Sequence, residues 1–301
     1  MAKAIEITLG YGGGAFINTN GGRGQDWCWV FMNSGSLTKN ITPSSYSAYD
    51  MDLYDENEGE NRNVRNDIIL GPGLVGFQGT LNFAITQGAL NKLFNTSFID
   101  RKSVFDVFID DGFRTLCLPC CYWNSFSISG NPRQVLSGTL NFVSTNNQLE
   151  DFDIRTLGSS SHVTENPIHE KIPRPDSYLG FDEKLIEYWN TGAAGVESFN
   201  LNFTRETTPV YLNTERKTPA YIRCGKLNLT GNFSSWKQWE NFDVINLYIA
   251  NKKLEMSGYR LKDSSSFSFE GIDDTGKFEY SIKLFNFLKS SDLSWSIIDL
   301  S

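Results

Sequence analysis

Cysteine and carboxylate are the side chains of this chain best equipped for chemistry. The five cysteines are Cys28, Cys117, Cys120, Cys121 and Cys224. Three of them fall in Cys117-Leu118-Pro119-Cys120-Cys121, which contains the CxxC spacing that grips zinc or runs thiol–disulfide exchange. A structural zinc site needs a second ligand pair. The two histidines, His162 and His169, stand further apart than the pair of a zinc finger. On either side of the CxxC, residues 113–118 and 122–128 alternate in the manner of strands. The three thiols therefore read as buried or edge-strand residues, a common setting for free cysteine. The odd cysteine count also argues against a disulfide framework.

Carboxylates are close neighbours at Asp110-Asp111, Asp151/Asp153 and Asp273-Asp274. Two acids flanking a glycosidic bond would hydrolyse it. Each of these pairs lies at an expected turn, however, where Asp has a local structural reason to be. Asp52, Asp55, Glu56 and Glu58 do not follow the spacing of an EF-hand calcium loop. A serine nucleophile needs a base and an oriented turn, but no GxSxG is present and both histidines lie in a proline-rich stretch. Tyr11-Gly12-Gly13-Gly14 and Asn20-Gly21-Gly22-Arg23-Gly24 are rich in glycine, without the helix and Lys-Ser/Thr of a phosphate-binding loop. The expectation is a non-enzymatic protein with no cofactor and no metal centre.

The elements around these residues are expected to be strands. Of the 301 residues, 40% are hydrophobic and 21% charged, enough for one large or two ordinary globular domains. Aromatics make up 14%, with 22 Phe and 12 Tyr, which favours strands over helices. No run approaches the roughly 18–20 apolar residues of a membrane helix, so no membrane partner is expected. Residues 1–7 alternate like a strand and lack a signal-peptide core, which predicts synthesis in a cytoplasm. The net charge of −8 repels phosphate, which disfavours base-specific nucleic-acid binding but suits DNA that must slide past.

A faint repeat runs through the chain. Residues 67–79 parallel 219–231, with Gly73 opposite Gly225 and Gly79 opposite Gly231. An amphipathic stretch follows in each half, residues 84–94 and 233–242. Leu90, Leu93 and Phe94 mark one helical face in the first, and Trp236, Trp239 and Phe242 in the second. Residues 104–109 then parallel 244–249, 125–130 parallel 266–271, and 136–142 parallel 278–284. The implied organisation is a first β-domain over 1–155 with an acidic loop at 50–66, a Pro/Ser/Gly-rich linker or arm over 156–182, and a second β-domain over 183–301. Period-2 alternation is clearest over residues 196–206. Phe199, Leu201 and Phe203 share one face, and Ser198, Asn200, Asn202, Thr204 and Glu206 the other.

The order of these elements in the second half resembles the phage tail tube family, relatives of the inner tubes of contractile tails and type VI secretion. It rests on the polar-alternating strand 196–206, Thr207-Thr208-Pro209-Val210-Tyr211, residues 219–225, the strand 226–230, the helix near Trp236, and strands at 244–249, 253–256, 266–270 and 277–285. The first half fits from 67 to 144, and Trp27-Cys28-Trp29-Val30-Phe31-Met32 would supply its first inner strand. The resemblance implies a mainly-β chain of two tandem antiparallel β-sandwich or barrel domains, each with one flanking helix. It further implies copies that pair edge to edge into stacked rings, a virion tail tube for DNA passage. Ser198, Asn200, Asn202, Thr204 and Glu206 would line the channel, which in the family tends to be negative. Partners would be further copies of the chain, in trimeric or hexameric rings, tail sheath or baseplate proteins, and DNA as passing cargo. Two other readings compete. A carbohydrate- or receptor-binding tail module would use the seven Trp and many Tyr for sugar stacking, and a glycan-degrading enzyme would use a carboxylate pair.

Overall fold

The structure, a computed structural model, describes residues 3–6, 14–19, 27–49, 65–93, 96–99, 104–110, 115–146, 150–152, 185–186, 188, 196–212, 218–236, 244–249, 252–257, 260–268, 276–287 and 294–299. The chain is mainly β. In the first half the elements are β1 (Lys3–Glu6), β2 (Gly14–Asn18), β3 (Trp27–Tyr49), β4 (Arg65–Ala84), α1 (Gln87–Leu93), α2 (Thr96–Ile99), β5 (Phe105–Asp110), β6 (Thr115–Gly130), β7 (Ser137–Ser144) and β8 (Glu150–Phe152). The second half supplies β9 (Val196–Val210), β10 (Tyr221–Ser235), β11 (Val244–Ile249), β12 (Lys252–Ser257), β13 (Arg260–Ser268), β14 (Lys277–Phe287) and β15 (Ser294–Asp299).

All ladders among the described residues are antiparallel, and they join both halves into one large sheet, β13-β14-β10-β9-β6-β5-β2-β3-β4-β7. β6 makes this possible because it is long and bent. Its first part pairs with β5 and its last part, from Ser125 to Gly130, with β9. The bend falls where Pro119 has no N–H to donate and Cys120 takes a left-handed φ of 56°, its N–H donating to Asp106 Oδ1 at 2.9 Å. Because β6 also pairs with β7, strands β6-β5-β2-β3-β4-β7 form a closed circuit in the first half, although β2 covers the outer edge of β3 only from Trp27 to Val30. No such circuit closes in the second half among the described residues. There β9-β10-β14-β13 stay an open sheet, and β11-β12-β15 form a separate one.

The core is built from the inward residues of alternating strands. Phe98 packs on Phe105 at 5.4 Å and on Phe126 at 6.1 Å, and Phe105 on Phe142 at 5.9 Å. Trp123 is fully buried and donates its Nε1–H to the Phe98 carbonyl at 2.9 Å, so its one polar atom is satisfied. α1 starts at Thr86, whose Oγ1 accepts the Ala89 N–H at 3.1 Å as an N-cap. Ala89, Leu90 and Leu93 are its buried face; Phe94 lies outside the described residues. Leu185, Ile186 and Tyr188 lie against the first half: Leu185 bridges to Thr86, and Ile186 and Tyr188 exchange backbone hydrogen bonds with Leu136, Gln134 and Arg133.

The internal repeat is visible in the ladder. The order β3-β4-β7-β6 recurs as β9-β10-β14-β13. Leu37 stands opposite Gly79, and Gly79 opposite Phe142; likewise Leu201 stands opposite Gly231, and Gly231 opposite Ile282. The register breaks recur too. The shift between Met32 and Ser34 matches the one that skips Glu197, and the shift between Trp123 and Ser125 matches the one between Lys262 and Ser264. Bulges are specific local features, so their coincidence carries more weight than alternation.

Four sequence expectations need correction. Phe142 corresponds in the sheet to Ile282 and not Leu284, and Ser125 to Ser264 and not Ser266. Both errors are two residues, the slip that period-2 alternation cannot detect. The second amphipathic stretch does not begin a helix at Phe233, since β10 runs on through Ser235; Trp239 and Phe242 lie outside the described residues. Residues 104–109 and 244–249 are not equivalent either, for β5 joins the large sheet and β11 the separate one. The proposed linker at 156–182 lies outside the described residues. So does the acidic loop from 50 to 64, while Arg65 and Asn66 already belong to β4.

Candidate channel-lining face

Every strand of the eight-strand run β3-β4-β7-β6-β9-β10-β14-β13 has to place alternate residues on opposite faces. On one face the described residues of its six central strands are mostly apolar and buried, with Phe77, Leu81, Leu140, Phe126, Ile128, Leu201, Phe203, Leu229, Phe233 and Tyr280 among them. The other face carries hydroxyls and amides. β9 contributes Ser198, Asn200, Asn202 and Thr204, of which Asn200 is exposed and the others half-buried; exposed Glu206 follows at the end of the row. All five expected channel-lining residues thus stand away from the core.

Their neighbours were not singled out from sequence. Asn202 lies between Ser127 of β6 and Thr230 of β10, and Asn200 between Ser129 and Asn232. Thr204 lies between Ser125 and Asn228. Further along, Asn141, Thr139, Thr80 and Asn82 continue the face across β7 and β4. The same alternation, Ser-x-Ser-x-Ser in β6 and Asn-x-Thr-x-Asn in β10, is present in the sequence and would have found them. A shallow groove of about 360 Å³ runs over Ser125, Ser127, Asn141, Asn200, Asn202 and Thr230.

The side chains bond to each other across strands. Thr80 Oγ1 donates to Asn141 Oδ1 at 2.6 Å, and Asn141 Nδ2 to Ser125 Oγ at 2.6 Å. Thr139 Oγ1 donates to Asn82 Oδ1 at 2.9 Å, and Asn82 Nδ2 to Ser34 Oγ at 2.9 Å. Ser198 and Ser234 share a hydrogen bond of 2.9 Å. Such lateral bonds hold the face in one arrangement while the remaining lone pairs and N–H groups face water. The groove itself is lined by neutral side chains, unlike the negative lining the resemblance implies. Charge enters along β14, where Glu279 stands opposite Ser234 and Lys283 opposite Thr230, and where Lys277 Nζ lies 3.0 Å from Glu197 Oε2 and 4.6 Å from the centre of the Trp236 ring.

All five cysteines are free thiols. Cys117 and Cys121 are buried in β6 and Cys120 is exposed at the bend. Burial pushes the Cys121 thiol well up, with Asp106 adding to it, so it is a poor nucleophile. Among the described residues no group of three His, Cys, Asp or Glu is placed to hold a metal, and no helix is long and apolar enough to cross a membrane. No protein-family model matches the chain, and no curated protein matches it significantly.

Proposed function

We propose that the chain is a structural subunit whose copies pair edge to edge into rings, the rings stacking into a tube with the hydroxyl-and-amide face as its inner wall. A phage tail tube, through which DNA passes, is the assembly this reading describes. The observation that carries it is the eight-strand run itself: two repeated four-strand sheets joined side by side by the β6–β9 ladder, apolar on one face and evenly polar on the other. A wall mostly of neutral hydroxyls and amides wets the lumen while offering few cations to phosphate. The lateral join favours three copies per ring, each contributing both halves around the circumference, over six copies with the halves stacked along the axis. Two tandem tail-tube-type domains, the first flanked by α1, fit the repeat of strand order and bulges.

A glycan-binding module needs open aromatic faces. Among the described residues, Trp123 is buried and Trp236, 43% exposed, has Lys277 over its ring, so the exposed aromatics left for such a role are Phe31, Tyr221 and Phe267, dispersed over β3, β10 and β13. Negative-stain microscopy and sedimentation of the purified protein across concentration and salt test the tube reading. Rings or tubes with a central hole are expected, and a strictly monomeric protein under all conditions would refute it.

A further inference from the structure

An eight-strand unit that closes into a ring needs two free edges. One is β13, which pairs only with β14 among the described residues. The other is the outer edge of β3, and it is occupied. β1 lies along it, with Lys3, Ala4, Ile5 and Glu6 opposite Lys39, Thr38, Leu37 and Ser36. The internal repeat says what this edge is for. Leu37 in β3 stands where Leu201 stands in β9, each opposite its glycine on the next strand. The edge of β9 at that point is taken by β6, with Ile128 opposite Leu201. β13 is the counterpart of β6, and by the matching bulges its Phe267 stands where Ile128 does.

We infer that the β3 edge at residues 36–39 is the docking edge for β13 of a second copy, residues 265–268, and that β1 holds this edge until the second copy displaces it. The inference rests on the ring reading above. In the register that the β6–β9 ladder dictates, Phe267 of one copy falls opposite Leu37 of the next, and Ser266 opposite Thr38. β1 occupies the same places in the same direction, with Ile5 where Phe267 would lie and Ala4 where Ser266 would lie. The two strands cannot both pair there, since one strand edge accepts one ladder. Phe267 is 54% exposed, and its ring already packs on Phe278 at 4.6 Å. The seam would cover this large apolar side chain, as the β6–β9 seam covers Ile128 completely. An occupied β3 edge also keeps an isolated chain from pairing indiscriminately.

Three full-length variants test this, with oxidised wild type as the control for the native cysteines. In Ala4→Cys/Thr38→Cys an intrachain disulfide fastens β1 to β3. Oxidised protein is expected to lose ring formation and to recover it on reduction. In Ala4→Pro/Ile5→Pro at least one proline removes an N–H directed at β3, because these alternate along a strand. Rings are then expected at lower protein concentration than for wild type. In Ser266→Cys/Thr38→Cys, oxidation of assembled rings is expected to link neighbouring copies covalently. Rings that form with β1 fastened, or that give no link between positions 266 and 38, overturn the inference and leave the tube reading standing. If wild type assembles under no condition, the tube reading fails, and the inference with it.

Discussion

Glycines on the buried face show how closely the strands are packed. A Cβ at Gly79 would clash with the Phe142 ring and come within 2.6 Å of Leu37 Cδ2, whereas one at Gly76 would meet nothing within 4 Å. Gly79→Ala is therefore expected to cost about 1–3 kcal/mol through overpacking, and Gly76→Ala to lie within about 0.5 kcal/mol of wild type; urea denaturation of both checks the contrast. Tyr188 offers a second test. Burial pushes its hydroxyl up to about 12, and the hydroxyl donates to the Val196 carbonyl at 3.2 Å. Because the folded state holds this proton more tightly than the unfolded chain, the associated stability is fully present below the ordinary tyrosine range near pH 10. It is lost as pH rises through the folded value. Tyr188→Phe should cost about 1 kcal/mol at neutral pH and should flatten the alkaline fall in stability, read as the wild-type-minus-variant difference in urea midpoint from pH 9 to 12.

Among the elements, β6 matters most, because it closes the first-half circuit and carries the second half on its other edge. At this seam Phe126 and Phe203 are opposite one another and their rings stack at 6.1 Å and 24°. Phe203→Ala removes a fully buried ring and is expected to cost about 3–5 kcal/mol; a smaller loss in the denaturation midpoint would show that the seam does not couple the halves. Much of this element was legible in the sequence. The alternation at 196–206 gave both faces of β9 correctly, because a strand buried on one side must alternate. The glycine pair Gly79 and Gly231 gave the repeat, since each sits where a neighbouring strand leaves no room or places a leucine opposite. The bulges and the β6–β9 ladder were not legible. A slip of two residues keeps every side chain on its face, and Ser125 and Thr204 are brought together by tertiary pairing that no local pattern encodes. The same limit applies to Cys120, read as a buried or edge-strand thiol: it is exposed, with a left-handed φ and an N–H that donates to Asp106 of β5.

At the scale of the whole molecule, the tube reading places the polar face around a lumen, and its neutrality has a measurable consequence. The net charge of −8 is carried elsewhere than the middle of this wall, where the groove is lined by Ser, Thr and Asn. Passing DNA therefore meets neither strong attraction nor a dense negative ring. Asn200→Lys/Asn202→Lys would change that without touching the core, since neither side chain is buried. Stability should stay within about 0.5 kcal/mol per substitution, and rings should form as in wild type. Two cations per copy on a closed ring would then retain short duplex DNA. Retention should weaken steeply with salt, because each phosphate neutralised releases counterions. Wild-type rings should retain none at the same ionic strength. Filter binding or electrophoretic retardation of preformed rings against a salt series reads this directly. If the lysine variant assembles and shows no salt-dependent retention beyond that of lysines placed at exposed positions off this face, Asn200 and Asn202 do not line a DNA-sized channel.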